Sequence, residues 1–203
     1  SPLPPHAFSV ARAAYEAMLA TRVPQSILVS GESGSGKTET TKLAMRALAR
    51  VSNPSLNDES ASRTEQVLES GTLLEAFGNA KTVFNDNSSR FGKWVAVQFD
   101  VAGRMESACC SAFLLEQSRV VSQGESESNF HIFYQLCCGA DIDKAVRWKL
   151  QPAGAYTYTR RCVQADSTRD GKDDAAAWQS TLGKLQLLVF SPARCEQLFM
   201  LLA

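Results

Sequence analysis

The sequence predicts an α/β protein on three observations. A short apolar run, SILVS at 26–30, leads into a glycine-rich loop and then an alanine-rich helix, the order of a buried parallel strand feeding a helix. Two period-two runs meet near Gly103 and predict a β-hairpin. Helical apolar spacing recurs before, between and after them. With 203 residues, 44% hydrophobic and 21% charged, the chain can build the core of one domain, or of one plus a piece.

Taken in order, residues 7–20 place Phe8, Ala11, Tyr15, Met18 and Leu19 at helical spacing after a Pro-rich start. Pro24 breaks that pattern before the 26–30 strand. From Thr38 to Val51, Leu43, Ala47, Leu48 and Val51 share one helical face. The polar, aperiodic stretch 52–62 carries Pro54 and predicts a surface loop. A helix resumes over 64–77, and 85–89 reads as a turn. Val95, Val97, Phe99 and Val101 alternate along the first hairpin strand, 94–101, and 105–115 forms the second. Residues 116–128 are polar, 130–138 form an apolar helix, 151–174 are mixed polar, and 175–203 are helical with a break at Ser191-Pro192. The chain stops inside the apolar run FMLLA, which reads as a cut end.

Composition narrows the function classes. Lys+Arg and Asp+Glu each total 21, which argues against a nucleic-acid or membrane surface built on bulk basicity. Neither a transmembrane run nor a signal peptide is visible, so a cytoplasmic protein is expected. The six cysteines, at 109, 110, 137, 138, 162 and 195, contain no CxxC pair and have only His6 and His131 as imidazole partners. Buried reduced thiols are therefore expected rather than a zinc site or a disulfide framework.

The segment Gly31, Glu32, Ser33, Gly34, Ser35, Gly36, Lys37, Thr38 fits GxxxxGK[ST]. Glycines let the backbone curl so that successive N–H groups face phosphate oxygens, and the following helix adds its positive end. Lys37 would reach the β- and γ-phosphates and the Thr38 hydroxyl would bind Mg²⁺. The preceding strand and following helix are the context that separates this motif from a plain Gly/Ser turn. Downstream, NDNSSR at 85–90 offers amides and hydroxyls for a γ-phosphate sensor, although such clusters are also ordinary turns. Asp100-Val-Ala-Gly103 after an apolar strand reads either as a metal-binding acid or as a hairpin turn, and the meeting of two period-two runs favours the turn. His131, in an apolar helix, reads as a satisfied, partly buried histidine rather than a catalyst.

Together these residues resemble the myosin motor family. GESGSGKTETTK is similar to that family's GESGAGKT loop with Ser35 in place of alanine, and LLEAFGNAKTVFNDNSSRFGKW is similar to its switch I stretch. LPPHAFSVARAAY, FDVAG, LLEQSR and SNFHIFYQL match in the same order, strongly over 3–136 and more loosely over 137–203. The resemblance implies one partial motor domain over 1–203: a P-loop NTPase core with an incomplete central sheet flanked by helices. It implies that ATP and Mg²⁺ are the ligands, with Gly31 to Thr38 around the phosphates, and Thr38 and Ser89 on the metal. Asn85 would lie near the α- and β-phosphates, Ser88 near the γ-phosphate and lytic water, and Arg90 would pair with a switch II glutamate. Lys37, Ser88 and Arg90 would carry the catalytic work. FDVAG matches a transducer hairpin, which settles Asp100 as a turn residue, and 52–62 matches a variable surface loop.

No segment resembles switch II, the relay helix, the converter or a light-chain-binding lever. The resemblance thus implies an actin-activated ATPase only in a complete protein, with actin filaments as partner, light chains or calmodulin at full length, and a cytoskeletal location. Turnover by the 203-residue chain alone is expected to be negligible. The alternatives are a non-motor P-loop remnant or interaction protein that binds nucleotide without turnover, and an independent P-loop kinase or GTPase, disfavoured because no NKxD or substrate-binding motif accompanies the loop.

Overall fold

The computed structural model describes residues 6–53, 58–160 and 173–203, without the side chains of 58–65. The Pro-rich start, the centre of the 52–62 stretch and the 161–172 half of 151–174, Cys162 included, lie outside the described residues. The helices are α1 (Ala7–Thr21), α2 (Lys37–Ser52), α3 (Asp58–Gly78), α4 (His131–Gly139), α5 (Ile142–Trp148), α6 (Asp174–Leu187) and α7 (Pro192–Leu202). The strands are β1 (Asn79–Thr82), β2 (Asn85–Ser89), β3 (Gly92–Phe99) and β4 (Met105–Phe113). They form two separate two-stranded sheets, β1–β2 and β3–β4. The fold is α/β with an incomplete sheet. No described helix is long and apolar enough to cross a membrane. The chain divides into two compact units, Ser1–Leu68 with Trp94–Ser111, and Glu69–Lys93 with Ala112–Ala203.

In the first unit, α1 starts where His6 Nδ1 accepts from the Phe8 N–H and ends where Arg22 turns left-handed at φ 58°. It packs on α2 through Ala11, Ala44 and Ala47, whose small side chains let the helix backbones approach closely. The β3–β4 hairpin turns where predicted. Asp100 Oδ1 accepts from the N–H groups of Ala102 and Arg104, and Oδ2 accepts from Arg104 Nε at 2.8 Å. These bonds, the Arg104 backbone N–H first, hold the Asp100 carboxyl below its ordinary pKa, and they identify Asp100 as a turn acid.

The expected strand at 26–30 is not formed. No described strand pairs with it, and Leu28 is 90% exposed, while Ile27 packs on the α1–α2 cluster. A strand apolar on both faces needs neighbours on both sides, and only one face of this run is covered. The loop expected through residue 62 is also shorter, since α3 begins at Asp58. Apolar periodicity reports a buried face, and a helix can begin before that face does.

The core of the second unit is built from Phe130, Ile132, Leu136, Trp148, Trp178 and Phe199, with Leu73 from α3 and Ala80 from β1. Residues 85–89, read as a turn, are instead β2, antiparallel to β1 with Asn79 opposite Ser89 and Ala80 opposite Ser88. The turn is the dipeptide before it, Val83-Phe84. Ala80 also bridges Phe130, so the hairpin is tied to the start of α4. The break at Ser191-Pro192 separates α6 from α7, with Ser191 Oγ capping the Arg194 N–H. The thiols depart from expectation: Cys109 and Cys138 are exposed and Cys110, Cys137 and Cys195 half-buried, with Cys109 and Cys110 alternating along β4.

Candidate nucleotide site

The glycine-rich loop lies in the first unit and runs directly into α2. Gly36 is the residue before the helix and stands at φ 84°, a conformation that costs other L-residues energy. With no side chain capping it, the helix start presents backbone N–H groups at its positive end. The loop closes on itself through the Ser35 N–H to Glu32 O at 3.2 Å. Lys37 Nζ donates to Gly31 O at 2.7 Å and Glu32 O at 2.6 Å, so the ammonium spans the loop mouth. Gly31, Glu32, Ser33, Gly34, Ser35 and Gly36 are exposed, and Lys37 and Thr38 are half-buried in the first turn of α2. Backbone N–H donors, one ammonium and a hydroxyl suit a polyphosphate with its divalent cation, so the residues present fit the expected ligand.

The second set of expected site residues stands on β2. Strand alternation buries Ser88 and exposes Ser89. Asn85 Oδ1 accepts from the Asn87 N–H at 2.9 Å, and the Asn85 N–H donates to Thr82 Oγ1 across the turn. Arg90 follows the strand. Its Nη2 donates to Ser88 Oγ at 2.6 Å, its Nε donates to Ser89 O at 3.2 Å, and its Nη1 lies 3.4 Å from Glu116 Oε2.

Sequence reasoning missed the ion-pair network beside the β1–β2 hairpin. Arg119, in a short 3-10 helix at Gln117–Val120, has only 5% of its side chain exposed and bridges Glu116 Oε2 at 3.0 Å and Glu127 Oε2 at 3.1 Å. Burial works to lower the Arg119 pKa, but the two carboxylates outweigh it and raise it. Burial likewise works to raise the Glu127 carboxyl, and Arg119 outweighs it and holds the group below its ordinary value. Ser128 fixes β1 by exchanging bonds with Lys81: its N–H donates to Lys81 O and its Oγ accepts from the Lys81 N–H. A lone arginine in a polar run has no periodic signature, and only the LLEQSR and SNFHIFYQL matches marked these segments.

Comparison with known proteins places the chain. The family model described as myosin head (motor domain) matches residues 1–203. The chain is 49% identical to Myosin-8 of Arabidopsis thaliana over 173 residues, covering 84% of this chain and 12% of that protein. It is 43% identical to Unconventional myosin heavy chain 6 of Caenorhabditis elegans over 202 residues and 42% identical to Myosin-VIIa of Drosophila melanogaster over 201, each covering 99% of this chain and 9% of the relative. The chain thus spans between about a tenth and an eighth of the length of these relatives. With the phosphate-loop geometry and a family match along its whole length, the chain belongs to the myosin head (motor domain) family.

Proposed function

We propose that the chain binds Mg·ATP and, within a complete motor, takes part in actin-activated ATP hydrolysis that drives movement along actin filaments. The observation that carries this reading is the loop into α2, with Gly36 at φ 84° and Lys37 across its mouth. In this reading Gly31 to Gly36 supply backbone donors to the phosphates, Lys37 compensates charge on the β and γ oxygens, and Thr38 is a metal ligand. From β2, Ser89 is the second metal ligand, Asn85 contacts the α- and β-phosphates, and Ser88 and Arg90 orient groups at the γ-phosphate. Mg²⁺, when bound, neutralises charge on the transferring phosphoryl group. Because positioning and electrostatics are most of what phosphoryl transfer needs, the chain alone turns over negligibly without the groups that a complete head adds. Light chains or calmodulin, and a cytoskeletal location, belong to the full-length protein.

The test is fluorescent-ATP binding by the full-length protein and its Lys37→Ala variant, followed by co-sedimentation with actin filaments. Tight binding lost in Lys37→Ala, with actin binding released by ATP, is the expected result. Nucleotide binding without ATP-released actin binding would replace the motor reading with a non-motor remnant. Binding unchanged by Lys37→Ala, or a preference for GTP, would overturn the site itself.

A further inference from the structure

Two links join Arg90 to Glu116. The Glu116 backbone N–H donates to Arg90 O at 2.9 Å, and the Glu116 carboxylate faces Arg90 Nη1 at 3.4 Å. Arg90 in turn holds the buried Ser88 hydroxyl oxygen at 2.6 Å. The arrangement has a charge logic. Arg90, Arg119, Glu116 and Glu127 sum to zero, and the same Glu116 oxygen, Oε2, serves both arginines. Arg119 is buried and has Glu127 and the Ser128 carbonyl as further acceptors, whereas a quarter of the Arg90 side chain is exposed. If Arg90 swings away, Glu116 keeps Arg119 at two points, Nε at 3.0 Å and Nη2 at 3.3 Å, and the net −1 that the remaining three groups then carry is shared by Glu116, whose side chain is 38% exposed to water. The bond from Glu116 to Arg90 is therefore the one in this network that can be exchanged cheaply.

We propose that Glu116 is a positioning residue: it holds Arg90 against Ser88 through a detachable ion pair, and Arg119 keeps Glu116 in place when Arg90 turns toward phosphate. This rests on the reading of β2 as a phosphate sensor. Glu116 itself touches no reacting atom. Its side chain sets where the Arg90 guanidinium starts, and that guanidinium sets where Ser88 Oγ lies.

The experiment uses full-length protein carrying Glu116→Gln, Glu116→Asp, Glu127→Gln, Arg90→Gln or Lys37→Ala. Fluorescent-ATP binding and the single-turnover hydrolysis rate are measured separately. Glu116→Gln leaves the backbone link intact and removes the charge, so nucleotide affinity stays within about twofold while hydrolysis slows roughly fivefold, the size of one weak charge-assisted bond. Glu116→Asp keeps a charge for Arg119 but shortens the reach to Arg90, and it slows hydrolysis in the same direction even if the glutamine variant folds poorly. Glu127→Gln weakens the same buried arginine without touching Arg90, and hydrolyses at the parent rate. Combining Glu116→Gln with Arg90→Gln slows hydrolysis no further than Arg90→Gln alone. Parent-rate hydrolysis in both Glu116 variants, or equal slowing by Glu127→Gln, overturns the proposal by reducing Glu116 to a structural part. Should Lys37→Ala bind nucleotide like the parent, it is the underlying phosphate reading that fails.

Discussion

His131 Nε2 lies 3.0 Å from Asn87 Oδ1, which joins the first residue of α4 to the centre of β2. The same Asn87 oxygen accepts from Asn79 Nδ2 at 3.2 Å on the neighbouring strand, so the ring nitrogen facing it is the protonated one. With 5% of the residue exposed, His131 is the satisfied histidine the sequence suggested, and its satisfaction comes from the strand it braces. His131→Phe keeps the bulk and loses the donor. We expect a cost of about 1 kcal/mol by urea unfolding, with His131→Gln recovering part of it.

The β3–β4 turn is locked from outside by α1. Gly103 stands at φ 81°, donates its N–H to Asp100 O at 2.9 Å, and accepts at its carbonyl from Tyr15 Oη at 2.8 Å. A Cβ at this position would lie 2.8 Å from Tyr15 Oη and 2.9 Å from Leu19 Cδ2. Gly103→Ala therefore combines a left-handed backbone with a clash, and we expect it to cost about 2 kcal/mol against about 1 kcal/mol for Tyr15→Phe. Thermal unfolding of the two variants checks the order. An alanine variant as stable as the parent would mean that the turn can relax away from α1.

These two sites show what the sequence makes legible. The turn at 100–104 announces itself because apolar alternation stops on both sides of a glycine, and the amphipathic helices α1 and α2 announce their buried faces in the same way. β2 does not, because NDNSS has no apolar alternation, and its strand is held by the β1 ladder and by polar bonds from residues as distant as His131. The 26–30 run errs in the other direction: its composition declares a doubly covered strand, while only Ile27 meets the helix cluster and Leu28 stays exposed. Local pattern reports what a segment can bury, and pairing depends on what else is beside it. The phosphate loop needed no such partner, since its conformation is set by its own glycines and by the helix it begins. The Arg119 network needed two, Glu116 three residues before it within LLEQSR and Glu127 eight residues after it, and neither spacing in a polar run carries an apolar period that reports burial.

The aromatic centre of the second unit offers a stability test. Trp178, on α6, is 1% exposed, and its ring centroid lies 4.5 Å from that of Phe199 on α7, which itself contacts Trp148 at 5.7 Å. Three elements from the last third of the chain thus meet on one stack. Truncation by Trp178→Ala removes one end of that stack, the ring packed on Phe199, and leaves a cavity, for which we expect about 3–5 kcal/mol of destabilisation. A drop in melting temperature with loss of Trp148 burial, read by fluorescence, is the expected outcome. A loss below about 1 kcal/mol would mean that α4 and α7 close the gap.

Cys137 provides a pH test with a definite sign. It lies on α4 beside the Tyr134–Ala153 cluster, and burial pushes its thiol from 9.0 up to about 11. Between those values the unfolded chain has lost the proton while the folded chain retains it. Folding then binds protons, so this contribution to stability is full below pH 9, falls as pH rises and is gone above about pH 11. The same shift governs reactivity, because only the thiolate attacks an alkylating agent. At pH 8 the thiolate fraction is roughly a hundredfold below that of a thiol at the ordinary value. Iodoacetamide labelling followed by fragmentation of the peptide that carries Cys137 and Cys138 distinguishes the two sites. Slow labelling of Cys137 in the folded protein, abolished by urea, is expected. Labelling of folded Cys137 at the urea-unfolded rate would show that the thiol is not shielded and that α4 opens at that face.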